Sequence, residues 1–458
     1  MRKEYLSIIA VLLLVLLSAN FYIRNDIRFT PDSGVYVGVA DQIAEGNGFM
    51  IPFGQEKPNP LLLAAPFYPL VLAGISSFFG VQAIYTAKIL NIWLYIINAF
   101  LALLFIYKTT KSSFYSVIAT TLLIISPAYI ILNTMVWTEP VFIFLTFTGL
   151  YLLASGRIIL SLPFIAFAMT TRYAGVALLP ATTCLLLFNQ SKRVNVRIKE
   201  ALVYSVTAFI PLASWFIRNE IVSGSVEPRV ISLHFPGSEH LSQIQQSVTL
   251  WLPIAILILI SFSLLPIRRN VSLSNLEKLL LLYGLFQIIV VVFTVLFYDM
   301  VVSFDFRTLA PTYFAFFIVS TGLLFKLSSQ MAAGSIVIII LAISLFLVNV
   351  PVVGGSPREW SGAKILENSL DLPEDLTLYS NYPERLYILT GQSAKFLPSK
   401  YDPKSLKENR HYLLEMETID HNSAIVYFDN ARAGIPTIEE IEKYDFMCEK
   451  SIGGYICR

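Results

Sequence analysis

Long apolar runs, each close to the length needed to cross a bilayer, follow one another through the first 350 positions of this chain. A crossing helix needs about twenty apolar residues, fewer where it is short and packed within a bundle. By that measure the sequence predicts about eleven spans, near 5–23, 83–107, 113–132, 140–154, 158–171, 174–189, 201–217, 248–266, 276–297, 308–325 and 332–350. Lipid leaves such runs little choice, because every backbone N–H and C=O must find its partner inside the protein, and helices do this within one segment. Composition agrees, with 55% of the 458 residues hydrophobic and only 14% charged. A formal charge of +2 gives no basic surface of the kind that nucleic acid requires. The run 5–23 is long for a signal peptide and Ser18-Ala19-Asn20 is a poor cleavage site, so it reads as a retained first helix.

Basic residues set the orientation, since cytoplasmic loops accumulate Lys and Arg. With the N-terminus cytoplasmic, Arg2, Lys3, Lys108, Lys111, Arg157, Lys192, Arg193, Arg197, Lys199, Arg268, Arg269 and Lys326 share one side, against Arg24, Arg28 and Lys57 on the other. Arg172 divides what would otherwise be one run from 158 to 189. Joining those two spans would carry the dense SKRVNVRIK cluster outside, so charge favours two helices. The opposite face then receives 24–82, the turn at Trp137 to Glu139, the turn at Arg172, the loops 218–247 and 298–307, and everything after Val350.

The tail changes character. From 351 to 458 strand-like runs (376–380, 423–428) alternate with helix-like ones (384–389, 438–444), which predicts a soluble extracytoplasmic α/β domain beside a membrane domain of 1–350. Cys448 and Cys457 are close enough in the chain to form a disulfide in an oxidising compartment, whereas Cys184 sits in an apolar run.

Between the first two spans stands PDSGVYVGVADQIAEGNGF, residues 31–49. Val35, Val39 and Ile43 recur at helical spacing, and Gly46-Asn47-Gly48 stops the helix, so an amphipathic helix on the membrane surface is expected. Asp32 lies at its start, where two readings stay open: an N-cap that meets the helix dipole, or a functional carboxylate. A second short interfacial helix is expected in the proline-broken stretch 64–74.

Taken in order, this loop, then APFYPLVLAGISSFFG, AKILN, WTEPVFIF, TTRYAGVALLP, WFIRNEIVSG and FDFRTLAPTYF, resemble the GT-C superfamily of integral-membrane glycosyltransferases. The likeness is to the family 39-like branch that includes protein O-mannosyltransferases and lipid A aminoarabinose transferases, and it runs through most of the first 350 residues. It implies a mainly α, polytopic bundle that passes a sugar from a polyprenyl-phosphate donor to an extracytoplasmic acceptor, with inversion at the sugar carbon, in the cytoplasmic (inner) membrane. Asp32 matches the family's loop aspartate, a base for the acceptor hydroxyl or a holder of acceptor and metal. Glu139 resembles the second acidic position, and the two together are the expected ligands of any divalent metal ion. Ser33 follows Asp32 where protein O-mannosyltransferases carry a glutamate, which leaves the acceptor class open.

Cations on the outer face run against the charge bias and are costly near lipid unless they have a task. A lipid phosphate supplies one, because arginine binds it through two parallel hydrogen bonds. Lys88, Arg172 and Arg307 are the expected donor-phosphate ligands, with Arg218 and Asn219 behind them; the structural reading of each is a snorkelling chain or an ion pair, such as Arg307 with Asp305. Tyr36, Tyr68 and Trp137 are candidates for lining the substrate or for anchoring at the interface. His234, Glu239 and His240 match no familiar metal spacing. No glycine loop of the phosphate-cradling kind is present, so a nucleotide sugar is not the expected donor. A lipid or solute transporter, or a silent membrane scaffold, remains the alternative, with charges at the bilayer midplane the mark of transport.

Overall fold

The computed structural model describes residues 28–188, 192–224, 233, 235, 237–265, 271–298, 304–347, 372–373, 376–401, 408–420, 422–429, 434–451 and 453–458. The expected first span 5–23, His234 and the side chain of Glu239 lie outside them. In chain order the elements begin with α1 (Pro31–Ala44), β1 (Met50–Ile51), β2 (Asn59–Pro60), α2 (Phe67–Phe79) and α3 (Ala83–Thr110). There follow α4 (Ser113–Ile124), α5 (Pro127–Thr134), α6 (Glu139–Ala154), α7 (Ile158–Thr171), a 3-10 turn (Tyr173–Ala177) and α8 (Leu178–Leu187). Next come α9 (Val194–Ser223), α10 (Ser238–Leu250), α11 (Leu252–Ser263), α12 (Asn275–Phe293), α13 (Ala310–Leu327) and α14 (Gln330–Leu347). The tail supplies β3 (Thr377–Ser380), α15 (Pro383–Thr390), β4 (Lys395–Phe396), α16 (Tyr412–Glu417), β5 (Ser423–Phe428), α17 (Ile438–Glu442), β6 (Cys448–Ser451) and β7 (Gly454–Cys457).

Two compact units divide the chain: one takes 62–67 and the described part of 89–351, the other 28–61, 68–88 and the described part of 352–458. The first is a helical bundle. Prolines in the opening turns of α5, α6, α11 and α13 begin those helices where a missing N–H costs nothing. Among the described residues four helices are long and apolar enough to cross a membrane by themselves, or six if each bent pair counts once. The bends are 63° between α4 and α5 and 86° between α10 and α11. Arg172 does break the run after α7: its extended backbone (φ −147°, ψ 132°) ends the helix, and Gly175 behind it lies so close to Met169 Cα that an added Cβ would stand 2.9 Å away.

Helix ends of this unit gather by charge. Lys108 at the end of α3 donates to Ser155 beyond α6 at 2.9 Å, Arg197 on α9 donates to the Leu187 carbonyl at 2.8 Å, and Gln330 donates to Ser112 at 3.0 Å. The loops that sequence assigned to one side thus meet at one end of the bundle. There Glu277, fully buried, accepts from Lys326, from the Ser274 hydroxyl and from the Ser274 N–H, closing a capping box.

The second unit is built on a five-stranded sheet, order β4-β3-β5-β7-β6, with β3 parallel to β4 and β5, and β7 antiparallel to β5 and β6. Central β5 is buried along its whole length. Ala424, Val426 and Phe428 face one core with Leu386 and Ile456, while Ile425 and Tyr427 face another with Met416, Ile441 and Phe446. A strand covered on both faces reads as an unbroken apolar run, as SAIVYF does. Cys448 and Cys457 face each other across β6 and β7 and are joined as a disulfide.

The first loop belongs to this same unit. Gly54, at φ +91°, adds to the sheet edge: its N–H donates to the Ala394 carbonyl at 2.7 Å and its carbonyl accepts from the Phe396 N–H at 3.2 Å. Helix α1 corrects an expectation. It is no one-sided surface helix, since Gly34, Tyr36, Val37, Gly38, Val39 and Ala40 are all buried. Glycine is the reason: a Cβ at Gly34 would stand 2.5 Å from Glu384 Cβ, so α15 packs directly on the backbone of α1. Asp41 then accepts from the Tyr387 hydroxyl at 3.3 Å. Burial pushes the Asp41 carboxyl above its ordinary range, and the Tyr387 hydroxyl rises for the same cause. The other interfacial helix appears as α2, begun at Phe67 with Pro69 in its first turn and ending on the exposed Phe78 and Phe79.

Candidate functional site

Between α5 and α6 the backbone is extended at Met135, and Glu139 and Pro140 open α6. Freed carbonyls in such a break need donors, and α3 supplies them: Asn91 donates to the Met135 carbonyl at 2.6 Å and Asn98 to the Pro140 carbonyl at 2.9 Å. With its backbone held on both sides, Glu139 is fully buried at a helix N-terminus, where the dipole favours negative charge. Its Oε1 accepts from Arg172 at 2.5 Å and from Arg307 Nε at 2.8 Å. Arg172 also donates to the Thr138 hydroxyl at 3.1 Å. The Arg307 guanidinium lies 3.8 Å above the ring of buried Trp137, a cation–π contact.

Among the described residues one carboxylate therefore faces two guanidinium groups. The arginine side chains keep 20% and 17% of their surface exposed while Glu139 keeps none. Arg307 comes from the turn before α13, which Trp251 fixes by donating to the Phe306 carbonyl at 3.1 Å. The expected pairing of Arg307 with Asp305 is corrected: the Asp305 carboxylate accepts the Thr308 N–H at 2.8 Å and so caps its own turn. Adjoining the cluster, Trp215 donates to the Tyr173 hydroxyl at 3.0 Å, Arg218 lies 4.7 Å over the Trp215 ring and donates to Asn219, and Asn219 reaches the Leu62 carbonyl at 3.3 Å.

Glu139, Arg172, Arg307 and Trp137 are thus brought into one group, with Arg218 and Asn219 in a neighbouring one joined to it through Tyr173. Asp32, Tyr36, Tyr68 and Lys88 belong to the second unit. There the cap of α1 is made by Thr30 and Ser33, whose hydroxyl accepts the Thr30 N–H at 3.0 Å, and the Asp32 side chain is exposed in the first turn. That corrects the N-cap reading of Asp32. Tyr36 and Tyr68 meet edge to face at 5.3 Å and are both buried; Lys88 is half-buried on α3. Among the described residues no group of three or more His, Cys, Asp and Glu side chains gathers as a metal site would. Sequence reasoning missed Asn91, Asn98, Thr138 and Tyr173; an asparagine repeated seven positions on along one apolar helix was the available signal.

The fold and this cluster define a class: a multi-pass helical membrane protein with a small α/β unit and a buried, cation-rich ion cluster at one end of its bundle. No family model matches the sequence, and no curated protein matches it. Among solved structures, ArnT from Cupriavidus metallidurans in the apo state matches with a TM-score of 0.64 at 11% identity, over 98% of this chain and 97% of that one. The Archaeoglobus fulgidus oligosaccharyltransferase, tethered to an acceptor peptide containing the NVT sequon, matches with a TM-score of 0.52 at 13% identity, over 92% of this chain and 69% of that one. ArnT has also been solved bound to undecaprenyl phosphate, a structure that matches at a TM-score of 0.48 and 13% identity over 80% of this chain and 63% of that one. The chain thus shares its fold with ArnT and with the Archaeoglobus fulgidus oligosaccharyltransferase, in keeping with the fold that the sequence resemblance implied.

Proposed function

We propose that this chain is a glycosyltransferase that takes a sugar from a polyprenyl-phosphate carrier and transfers it, with inversion, to an acceptor on the extracytoplasmic face of the inner membrane. The carrying observation is the convergence of Arg172 and Arg307 on the buried Glu139 carboxylate, which fixes two guanidinium groups at one place. Guanidinium groups oriented in this way present the planar, forked donors that match a phosphate. A phosphodiester is the anion that fits, because its oxygens accept paired donors and its negative charge grows as the sugar leaves.

In this reading Arg172 and Arg307 hold the donor phosphate, with Arg218 and Lys88 as further cations and Asn219 and Trp137 shaping the site. Glu139 is the positioning residue that fixes both forks. Asp32 is the base that takes the proton of the acceptor oxygen as that oxygen attacks the sugar carbon and the carrier phosphate departs. A divalent metal ion does not fit Glu139, whose Oε1 already accepts from two cations that would repel it; no step is assigned to a metal. The Cys448–Cys457 disulfide and the gathering of basic loops at the other end of the bundle support an outward tail and a cytoplasmic N-terminus. Shorter apolar helices such as α6, α7 and α14 are further candidates for spans.

The test is turnover. Membranes holding the wild type are expected to consume a radiolabelled polyprenyl-phosphate hexose, and those holding Asp32→Asn at equal abundance to lose at least about 100-fold, the weight of a general base. Undiminished consumption by the variant overturns the role of Asp32.

A further inference from the structure

At the end of the bundle away from Glu139, a groove of about 520 Å³ opens between the start of α7 and the side of α9. Its lining includes Arg157, Ile159, Leu160, Glu200, Val203 and Tyr204. The apolar part is strongly exposed: Ile159 by 81%, Leu160 by 57% and Val203 by 55%. Such surface on a bundle end suits hydrocarbon. The polar part is divided by charge. Glu200 is answered by Lys192, which donates to both of its oxygens at 2.7 Å. Tyr204 and Ser161 share a hydrogen bond of 2.8 Å. Arg157, exposed, has no carboxylate partner among the described residues, and Lys108 lies near enough to add to its field. Gly156, at φ +77°, makes the tight turn that places Arg157 at the head of α7. The groove thus has an oily floor and an unanswered basic rim, which is the outline of an amphiphile with an anionic head.

We propose that this groove binds an anionic glycerophospholipid of the leaflet on the basic-loop side, with its phosphate at Arg157 and the start of its acyl chains on Ile159, Leu160 and Val203. Charge complementarity selects the head, since a basic residue near an anionic lipid surface is worth about 1 kcal/mol, or roughly five-fold in affinity. The apolar floor selects a lipid over a free phosphate. A lipid seated there ties α7 to α9 at the end opposite the Glu139 cluster, so its loss leaves the donor-phosphate contacts in place.

The full-length protein in mild detergent, examined by native mass spectrometry with phosphatidylglycerol or phosphatidylcholine added, tests this. The wild type is expected to retain phosphatidylglycerol about five-fold or more over phosphatidylcholine. Arg157→Gln is expected to erase that preference while keeping weak binding of both, and Val203→Trp, which fills the groove at an exposed position, to weaken both. Undecaprenyl phosphate binding serves as the control for folding and is expected to be unchanged in both variants. A wild type without preference, or a preference that survives Arg157→Gln, overturns the proposal.

Discussion

Two buried glutamates at opposite ends of the helical unit differ in the company they keep. Glu277 is matched one to one by Lys326, with the Ser274 hydroxyl and N–H taking up its second oxygen, so the group is closed and neutral. Glu139 is shared by two arginines, one carboxylate fixing two guanidinium groups, so among the described residues the pairing is not one to one and the cluster is open in that sense. A closed pair holds helices in place; breaking one strands a charge without water. A carboxylate shared by two arginines instead fixes two forked donors side by side. That difference is why the first is read as a structural ion pair and the second is proposed as a binding site.

The largest effect expected from this contrast is at the closed pair. Lys326→Met leaves Glu277 buried without its cation and is expected to cost about 3–5 kcal/mol, read as a lowered midpoint of unfolding in detergent, with donor-lipid affinity unchanged. A change in that affinity would break the comparison. At the open cluster Glu139→Gln keeps the shape and removes the countercharge. Since Arg172 keeps the Thr138 hydroxyl and Arg307 keeps the Trp137 ring, it is expected to cost only about 1–3 kcal/mol of stability while lowering kcat for sugar transfer far more than it raises the donor KM, because the forks lose their alignment. A third carboxyl sharpens the comparison further. Asp41, in the second unit, has no cation among the described residues and relies on the Tyr387 hydroxyl; burial raises its pKa. The folded state therefore holds that proton more tightly than the unfolded chain. Its contribution is most favourable below the ordinary value of 3.8 and is lost as pH rises through the raised value. Asp41→Asn is expected to flatten this dependence, giving the second unit a smaller loss of protease resistance as pH rises from 4. An unaltered slope would remove Asp41 from the account.

Much of this was legible in the sequence because bilayers impose lengths and loops impose charges. The break at Arg172, the helix start at Pro140 and the strands 377–380 and 423–428 all follow from local chemistry: an ionisable residue inside an apolar run, a proline that opens a helix, an apolar run between turns; the bend before Pro127, inside the run 113–132 read as one span, was not foreseen. Arg172, Arg307 and Glu139 stood out because charges near lipid are expensive. Their mutual contact was not legible, since 168 positions separate Arg307 from Glu139 and no local pattern records which cation meets which acid. Helix α1 misled for a related reason: its apolar spacing is that of a surface helix, and only the packing of α15 on Gly34 fills the remaining faces. The union of the first loop with the tail, through Gly54 and β4, joins segments separated by 341 positions at Pro52 and Ser393. It also means that deleting 351–458 would strip the first loop of its core.

The central claim is that the two arginines fixed by Glu139 are there for a lipid phosphate, and titrating undecaprenyl phosphate against the purified protein measures it directly. The account predicts saturable binding by the wild type, a loss of at least about ten-fold for Arg172→Gln and again for Arg307→Gln, as expected when a charge-assisted hydrogen bond is removed, and none for Lys326→Met. Equal affinity across all four proteins would contradict it.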